Sequence, residues 1–236
     1  MLEELREAVV EANLEIVRAG LVVLTFGNAS AVDRDASLMA IKPSGVAYQE
    51  LTPESIVVVD LQTGESVESA HRPSSDTPTH LALYRAFPEV GGIVHTHSAF
   101  ATAWAQARRE IPCLGTTHAD HFRGPVPVTR PLTDEEIADQ YEARTGDVIV
   151  ETFTDRGLDP LDVPGVLVAS HGPFTWGATA GHAVENAVAL EAIAAGALRT
   201  ELLRPDVAPI AEALLGCHFL RKHGPAAYYG QRPDPQ

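Results

Sequence analysis

Residues 91–97 read Gly91-Gly-Ile-Val-His-Thr-His97 and carry the pattern that decides the fold. Their apolar centre predicts a strand over 92–96 that leads into two histidines. A predicted helix precedes it at about 77–87, with Thr77 as its cap and a proline at its first helical position. Another predicted helix follows at about 99–108. A strand between two helices is typical of an α/β protein, so this stretch favours that class.

Around this centre, the predicted strands lie in the middle of the chain and long helices lie at its ends. Residues 2–19 carry apolar side chains at helical spacing, with glutamate and arginine between them. The other predicted helices cover 133–144, 180–199 and 206–222, and the other predicted strands cover 21–25, 37–42, 56–60, 147–153 and 165–169. This order predicts a single-domain α/β fold with a central, largely antiparallel sheet flanked by helices.

Composition excludes several classes of protein. The 236 residues are 45% hydrophobic and 21% charged, which is typical of a globular chain and not of a disordered or membrane-embedded one. A formal charge of −15 argues against nucleic acid and anionic membranes as partners, but it leaves room for a small phosphorylated ligand. Two cysteines, and a start without signal-peptide features, predict a cytoplasmic protein in a reducing compartment.

Three histidines are candidate metal ligands. His95 and His97 are two residues apart on a predicted strand, so both side chains can point to one face. His171 follows a second apolar strand, and a catalytic zinc site commonly uses three protein ligands. Half-exposed histidines at strand ends, satisfied by local turns, are the alternative interpretation of the same pattern.

Two further segments are candidates for anion binding. Ser74, Ser75 and Asp76 precede a helix start, where they could cap the helix, present donors to an anion or, for Asp76, bind a metal. Lys42 is a lone cation in the turn-like segment 41–45, which suits a phosphate group. The glycine and asparagine of the other turn, at 25–30, are also explained by turn chemistry alone.

The last candidates lie in polar segments. His118, Asp120 and His121 could be ligands, acid/base groups or ordinary surface residues. Tyr228 and Tyr229 stand in a tail that is otherwise polar, where aromatic side chains usually mark packing against something, often another subunit.

In chain order, these segments resemble the class II aldolase/epimerase family, and within it the epimerase branch. The matching segments are Leu24-Thr-Phe-Gly-Asn-Ala-Ser30, Ile41-Lys-Pro-Ser-Gly45, Pro73-Ser-Ser-Asp-Thr-Pro-Thr-His80, Gly91-Gly-Ile-Val-His-Thr-His97, Gly115-Thr-Thr-His-Ala-Asp120, Ser170-His-Gly-Pro173 and Leu220-Arg-Lys-His-Gly224 with Tyr229. They span nearly the full length, so the resemblance is far more specific than any single motif.

The resemblance implies an α/β/α domain over residues 1–231 and a short C-terminal tail at 232–236. It implies a divalent metal, usually zinc, with manganese or another divalent ion as an alternative. The implied metal ligands are Asp76, His95, His97 and His171, and the implied phosphate pocket comprises Gly27, Asn28, Lys42, Ser44, Gly45, Ser74 and Ser75.

The resemblance also implies an activity and an assembly. The activity is metal-dependent epimerisation of L-ribulose 5-phosphate to D-xylulose 5-phosphate at C4, by retro-aldol cleavage and re-addition, in L-arabinose catabolism. The family's epimerases assign acid/base roles to the positions of Asp120 and Tyr229. They form homotetramers with active sites at subunit interfaces, so the tyrosine is expected to come from the neighbour of the subunit that supplies the metal and Asp120.

Two alternatives stand beside this interpretation. The first is a class II sugar-phosphate aldolase, a lyase that releases the aldehyde. The family's aldolases typically have glutamate where Asp76 stands, so the shorter side chain favours the epimerase, as does the tail with its paired tyrosines. The second is a metal-stabilised binding protein without chemistry, which would leave Asp120 and the tail tyrosines unexplained.

Overall fold

The computed structural model describes residues 2–223 and 227–229 and contains seven strands and eight α-helices in that part of the chain. The strands are β1 (Asn28–Asp33), β2 (Leu38–Ile41), β3 (Val57–Asp60), β4 (Ser66–Glu68), β5 (Gly92–His95), β6 (Gly165–Leu167) and β7 (Pro173–Gly177). The helices are α1 (Leu2–Arg18), α2 (Thr77–Ala86), α3 (Ala99–Ala107), α4 (Thr116–Ala119), α5 (Asp134–Ala138), α6 (Tyr141–Arg156), α7 (Ala180–Leu203) and α8 (Glu212–His223). Two short 3-10 helices, Tyr48–Glu50 and Pro53–Ser55, connect β2 to β3.

The strands form one sheet in the order β4-β3-β2-β1-β5-β7-β6, and all neighbouring strands are antiparallel. β5 therefore lies inside the sheet, between β1 and β7. At its end, His95 pairs with Asn28 on one side and with Phe174 on the other. This register brings residues from three distant parts of the chain together where these strands end.

Both faces of the sheet are covered. Ile93 belongs to a core that also contains buried residues of α2, α3 and α6, whereas its neighbour Val94 belongs to a second core with α1. Successive strand residues point to opposite faces, so one apolar strand supplies both cores. Helix α1 meets its core through Val9, Ala12 and Ile16, which recur every three to four residues. The predicted α/β/α class, with a central antiparallel sheet, is confirmed.

Several predicted elements are wrong. Residues 147–153 are the middle of α6 instead of a strand, because Val148, Ile149 and Phe153 are buried on one helical face. Here tertiary packing overrides the strand preference of β-branched residues. The predicted helix at 133–144 is interrupted between α5 and α6, where Gln140 has a φ of 58°. Residues 21–25 form a turn-rich loop instead of a strand.

Other differences concern ends and omissions. The residue before α2 is Asp76, and Thr77 is its first helical residue, so Thr77 is not the cap. The sequence pattern does not predict strands β1, β4 and β7. The predicted tail at 232–236 lies outside the described residues, so that boundary stays a prediction. Among the described residues, no helix is both long and apolar enough to cross a membrane.

Candidate active site

Three imidazoles converge at the end of β5. His95 is its last residue, His97 follows two residues later, and His171 lies in the turn between β6 and β7. Because β7 pairs with β5, that turn is held beside the two other histidines. One nitrogen of each imidazole lies within 4.8 Å of the others, and Nε2 of His95 is 3.1 Å from Nε2 of His97.

Gly172 makes this approach possible. A Cβ at this position would lie 2.7 Å from the carbonyl oxygen of Thr96, which is closer than real Cβ contacts. The same Cβ would meet ring carbons of His95 and His97 at 3.6 Å. Only a glycine lets the turn that carries His171 lie so close to the end of β5.

The local hydrogen bonds prepare the imidazoles to bind a cation. Nδ1 of His95 lies 2.9 Å from the carbonyl oxygen of Pro173 and donates to it, which leaves the Nε2 lone pair free. Burial lowers the pKa of His95, and burial with the two neighbouring imidazoles lowers the pKa of His171 to about 3. Neutral imidazoles with converging lone pairs are the ligand set that zinc and similar divalent ions prefer, so these residues fit a metal.

Asp76 lies beside the histidines and does not act as a helix cap. Although it precedes α2, its side chain makes no capping hydrogen bond and accepts one from Nδ2 of Asn28 at 2.7 Å. Burial alone would raise the pKa of Asp76, but the imidazoles of His95 and His80 and the amide of Asn28 hold it below its ordinary value. The ligand atoms that converge within 4.8 Å are those of the three imidazoles, and the role of Asp76 as a fourth ligand stays a prediction.

A second group of donors faces the same cavity. Pro43 and Pro73 form an isolated antiparallel bridge, and the backbone N–H of Ser74 donates to the carbonyl of Lys42 at 3.0 Å. This bridge aligns the 42–45 turn with the segment that leads into α2. Lys42 is buried, and no carboxylate of the described residues forms an ion pair with it.

One cavity of about 440 Å³ contains both groups. The candidates that line it are Gly27, Asn28, Lys42, Ser44, Gly45, Ser74, Ser75, Asp76, His95, His97 and His171. The cavity also contains Tyr141 and Glu142, which sequence analysis missed. The hydroxyl of Tyr141 is 3.3 Å from Nδ1 of His171. The sequence carries no glycine or proline signal for the break at Gln140 that places these two residues at the start of α6.

Asp120 and Tyr229 do not line this cavity. They line a second one of about 460 Å³, together with His121, Lys222 and His223. Arg221 joins the two residues, since its guanidinium donates to both Asp120 carboxylate oxygens, at 3.0 and 2.7 Å, and lies 4.8 Å from the centre of the Tyr229 ring. The resemblance implies that Asp120 shares the metal cavity of its own subunit. In the structure, Arg221 of α8 holds Asp120 beside Tyr229 instead, away from that cavity.

Comparison with known proteins agrees with this geometry. The family described as "Class II Aldolase and Adducin N-terminal domain" matches residues 7–198. The chain belongs to this class II aldolase family. An L-ribulose-5-phosphate 4-epimerase UlaF from Salmonella paratyphi C (strain RKS4594) is 52% identical over 231 residues, which cover 98% of this chain and 100% of the relative. The relative of the same name from Salmonella typhi matches equally well.

Solved structures of L-fuculose 1-phosphate aldolases share the fold. An L-fuculose 1-phosphate aldolase superposes with a TM-score of 0.76 at 24% identity, covering 91% of this chain and 94% of the other. The L-fuculose 1-phosphate aldolase from Glaciozyma antarctica PI12 gives a TM-score of 0.73 at 20% identity, covering 96% and 85%. At this identity the likeness establishes the α/β/α architecture of the class II aldolase family.

Proposed function

We propose that this protein is a metal-dependent epimerase that converts L-ribulose 5-phosphate to D-xylulose 5-phosphate by changing the configuration at C4. The observation that carries the proposal is one cavity in which a three-imidazole cluster lies beside a buried lysine that forms no ion pair with the described residues. The full-length similarity to proteins named L-ribulose-5-phosphate 4-epimerase supports this substrate.

The substrate's chemistry explains why an epimerase needs such a cavity. The carbonyl of the substrate is at C2, so the C4 hydrogen is not acidic and cannot be removed directly. Cleavage of the C3–C4 bond avoids this problem. The C4 hydroxyl loses its proton, the C3–C4 electron pair passes to C3 and the C2 carbonyl, and the products are the enediolate of dihydroxyacetone and glycolaldehyde phosphate. Rotation of the aldehyde and re-addition on its other face give the C4 epimer.

The metal side of the cavity serves the cleavage step. His95, His97 and His171, with Asp76, would hold a divalent ion, zinc in this proposal. Such an ion supplies Lewis-acid stabilisation of the negative charge that C–C cleavage creates.

The other side of the cavity holds the phosphate. Lys42 supplies a positive charge, and Asn28, Ser44, Ser74 and Ser75 line the cavity beside it, with Gly27 and Gly45 in the adjoining turns. While the C3–C4 bond is broken, the phosphate is what keeps the aldehyde fragment in place, so this anchor is part of the mechanism.

Two proton-transfer groups are needed, one for each face of the aldehyde, and we assign them to Asp120 and Tyr229. Since both line the second cavity, a neighbouring copy would have to place its second cavity over the metal cavity. We therefore propose a homotetramer with composite sites. Phe26 lines the metal cavity, and the exposed side chains of Phe26, of Val23 and Leu24 in the same loop, and of Tyr228 support a subunit contact here.

Product analysis tests the reaction. With L-ribulose 5-phosphate and zinc-loaded or manganese-loaded protein, we expect D-xylulose 5-phosphate as the product. Release of free dihydroxyacetone in equal amount to consumed substrate would indicate an aldolase instead. If the metal-loaded protein does not consume L-ribulose 5-phosphate at all, only a binding protein is left, and the enzyme assignment is refuted.

A further inference from the structure

Tyr48 is a buried residue that contacts the anion-binding side of the cavity from behind. It begins the 3-10 helix after β2, its side chain is 2% exposed, and it is not among the residues that line the cavity. Its hydroxyl lies 2.9 Å from the carbonyl oxygen of Phe26 and 2.9 Å from that of Gly27. One phenolic proton is therefore shared between two successive carbonyls of the loop that leads into β1.

The ring of Tyr48 has a second contact. Nζ of Lys42 lies 4.8 Å from the ring centre, within the range of a cation–π interaction. The aromatic face thus offers a favourable surface to an ammonium group that no carboxylate of the described residues neutralises. A carboxylate in this place would compete with a phosphate for the lysine, whereas an aromatic ring does not.

The loop that Tyr48 contacts needs such an anchor. Within one chain, Val23, Leu24 and Phe26 are 61%, 78% and 50% exposed, so the loop gains little from apolar packing inside its own subunit. Gly27 has a φ of +85°, and a Cβ there would lie 2.8 Å from the carbonyl oxygen of His95. The backbone thus passes close to the metal side of the site in a conformation that the loop's own side chains do little to maintain.

We propose that Tyr48 is a positioning residue for the substrate's phosphate. Its hydroxyl holds the Phe26–Gly27 backbone and its ring holds Lys42, so that both segments meet the same anion. This inference rests on the proposed function, because it assumes that the Lys42 side of the cavity binds the phosphate. Burial raises the pKa of Tyr48 above its ordinary value, which keeps the hydroxyl a donor at working pH.

The first test is Tyr48→Phe, which keeps the ring and removes the hydroxyl. Loss of one buried hydrogen bond predicts about a five- to tenfold rise in KM for L-ribulose 5-phosphate. The inhibition constant of inorganic phosphate should rise by a similar factor, while kcat and metal content stay within about twofold of the parent. An unchanged KM in a folded, metal-loaded variant would overturn the proposal.

Tyr84→Phe is the matched control. Tyr84 is also fully buried, but its hydroxyl lies 2.9 Å from Oγ of Ser30 and its ring contacts Arg34, so these contacts reach neither Lys42 nor the Phe26–Gly27 backbone. This variant should lose stability comparably and leave KM unchanged. Equal rises in KM for the two variants would show a general effect of buried phenols and would refute a specific role of Tyr48. Tyr48→Leu removes the hydroxyl and the ring, so in a folded variant KM should rise further than in Tyr48→Phe, and a smaller rise would contradict the role of the ring.

A double-mutant cycle with Lys42→Met separates this inference from the proposed function. Both residues act on one anion. The fold-rise in KM of the double variant should therefore be clearly smaller than the product of the fold-rises in the two single variants. Multiplicative effects would mean that Tyr48 acts elsewhere, and would overturn the inference. If Lys42→Met alone leaves KM and phosphate inhibition unchanged, the phosphate site itself is wrong.

Discussion

Asp76 illustrates how one residue's role depends on its partner. Its position before α2 suits a helix cap, yet its carboxylate accepts a hydrogen bond from Asn28, which stands opposite His95 across two strands. Asn28 in turn donates to Ser74 at 3.2 Å. A single amide thus joins the metal side and the anion side of the cavity. Local sequence rules favour capping for Asp76, and only the pairing of β1 with β5 shows the other partner.

We predict that His97→Ala and His171→Ala lose bound metal and epimerase activity together. Each change removes one of three converging imidazoles, and a catalytic zinc site does not keep its affinity with two. The measurement is metal content after dialysis, with circular dichroism to verify folding. His71→Ala is the control, because His71 is exposed and lines neither cavity. Full metal occupancy in both site variants would contradict the assignment.

At the scale of elements, the start of α6 decides which residues enter the cavity. A continuous helix from 133 to 144 would follow from sequence periodicity, but Gln140 adopts a left-handed conformation and separates α5 from α6. Tyr141 and Glu142 reach the cavity because of this break. Such a conformation is unusual for a residue other than glycine, asparagine or aspartate. Sequence propensities therefore could not locate it. The start of α6 is held by a long-range contact with α2, since the hydroxyl of Thr79 donates to the carbonyl of Glu142 at 2.6 Å.

Asp120 forms the connection between α4 and α8, and its ionisation should make stability depend on pH. Burial alone would raise the pKa of Asp120, but hydrogen bonds from Arg221 and His218 hold it below its ordinary value. A lowered folded-state pKa means that the carboxylate stabilises the fold above about pH 4, and that this contribution is lost as pH falls through the folded-state pKa. Asp120→Asn removes the contribution.

We therefore predict that Asp120→Asn lowers the free energy of unfolding by about 1 kcal/mol at pH 7, and by clearly less at pH 3. Urea unfolding of both proteins at the two pH values measures this difference. Arg221→Met, which removes the other partner, should show the same pH trend. A difference between parent and variant that is as large at pH 3 as at pH 7 would argue against an ionised Asp120 in the folded state.

At the scale of the whole molecule, the sequence predicts which residues belong to the site better than it predicts that they divide between two cavities. The eleven proposed metal and phosphate residues line one cavity. Lys42, His95, His97 and His171 lie at or just after strand ends, which are recognisable as apolar runs that stop at polar turns, whereas Asn28 begins β1 and Asp76 precedes α2. Asp120 and Tyr229 depend on where α8 docks. That docking involves buried Leu215 and Phe219 and the Arg221 contacts, which join residues about 100 positions apart. No local pattern records such a contact.

The two-cavity arrangement leads to a prediction about mixed assemblies. If one subunit supplies the metal and its neighbour supplies both Asp120 and Tyr229, inactive His97→Ala and inactive Tyr229→Phe subunits should complement each other. A Tyr229→Phe subunit keeps its metal ligands, and a His97→Ala subunit keeps Asp120 and Tyr229. A site formed by the metal cavity of the first and the second cavity of the other is therefore intact. In a random equal mixture about a quarter of sites meet this condition in a cyclic assembly.

The decisive comparison is a second mixture, of Asp120→Asn with Tyr229→Phe subunits. Asp120 and Tyr229 lie in the same cavity of one chain, joined through Arg221. No subunit in this mixture carries both groups, so no composite site is complete and activity should stay at the level of the separate variants. Hybrid formation is verified by native mass spectrometry, and activity is measured as D-xylulose 5-phosphate formed. Recovery in this second mixture would place Asp120 and Tyr229 of one site on different subunits. If the first mixture fails despite verified hybrids, the metal and the proton-transfer groups come from the same chain. Tyr229 would then have to leave its position against Arg221.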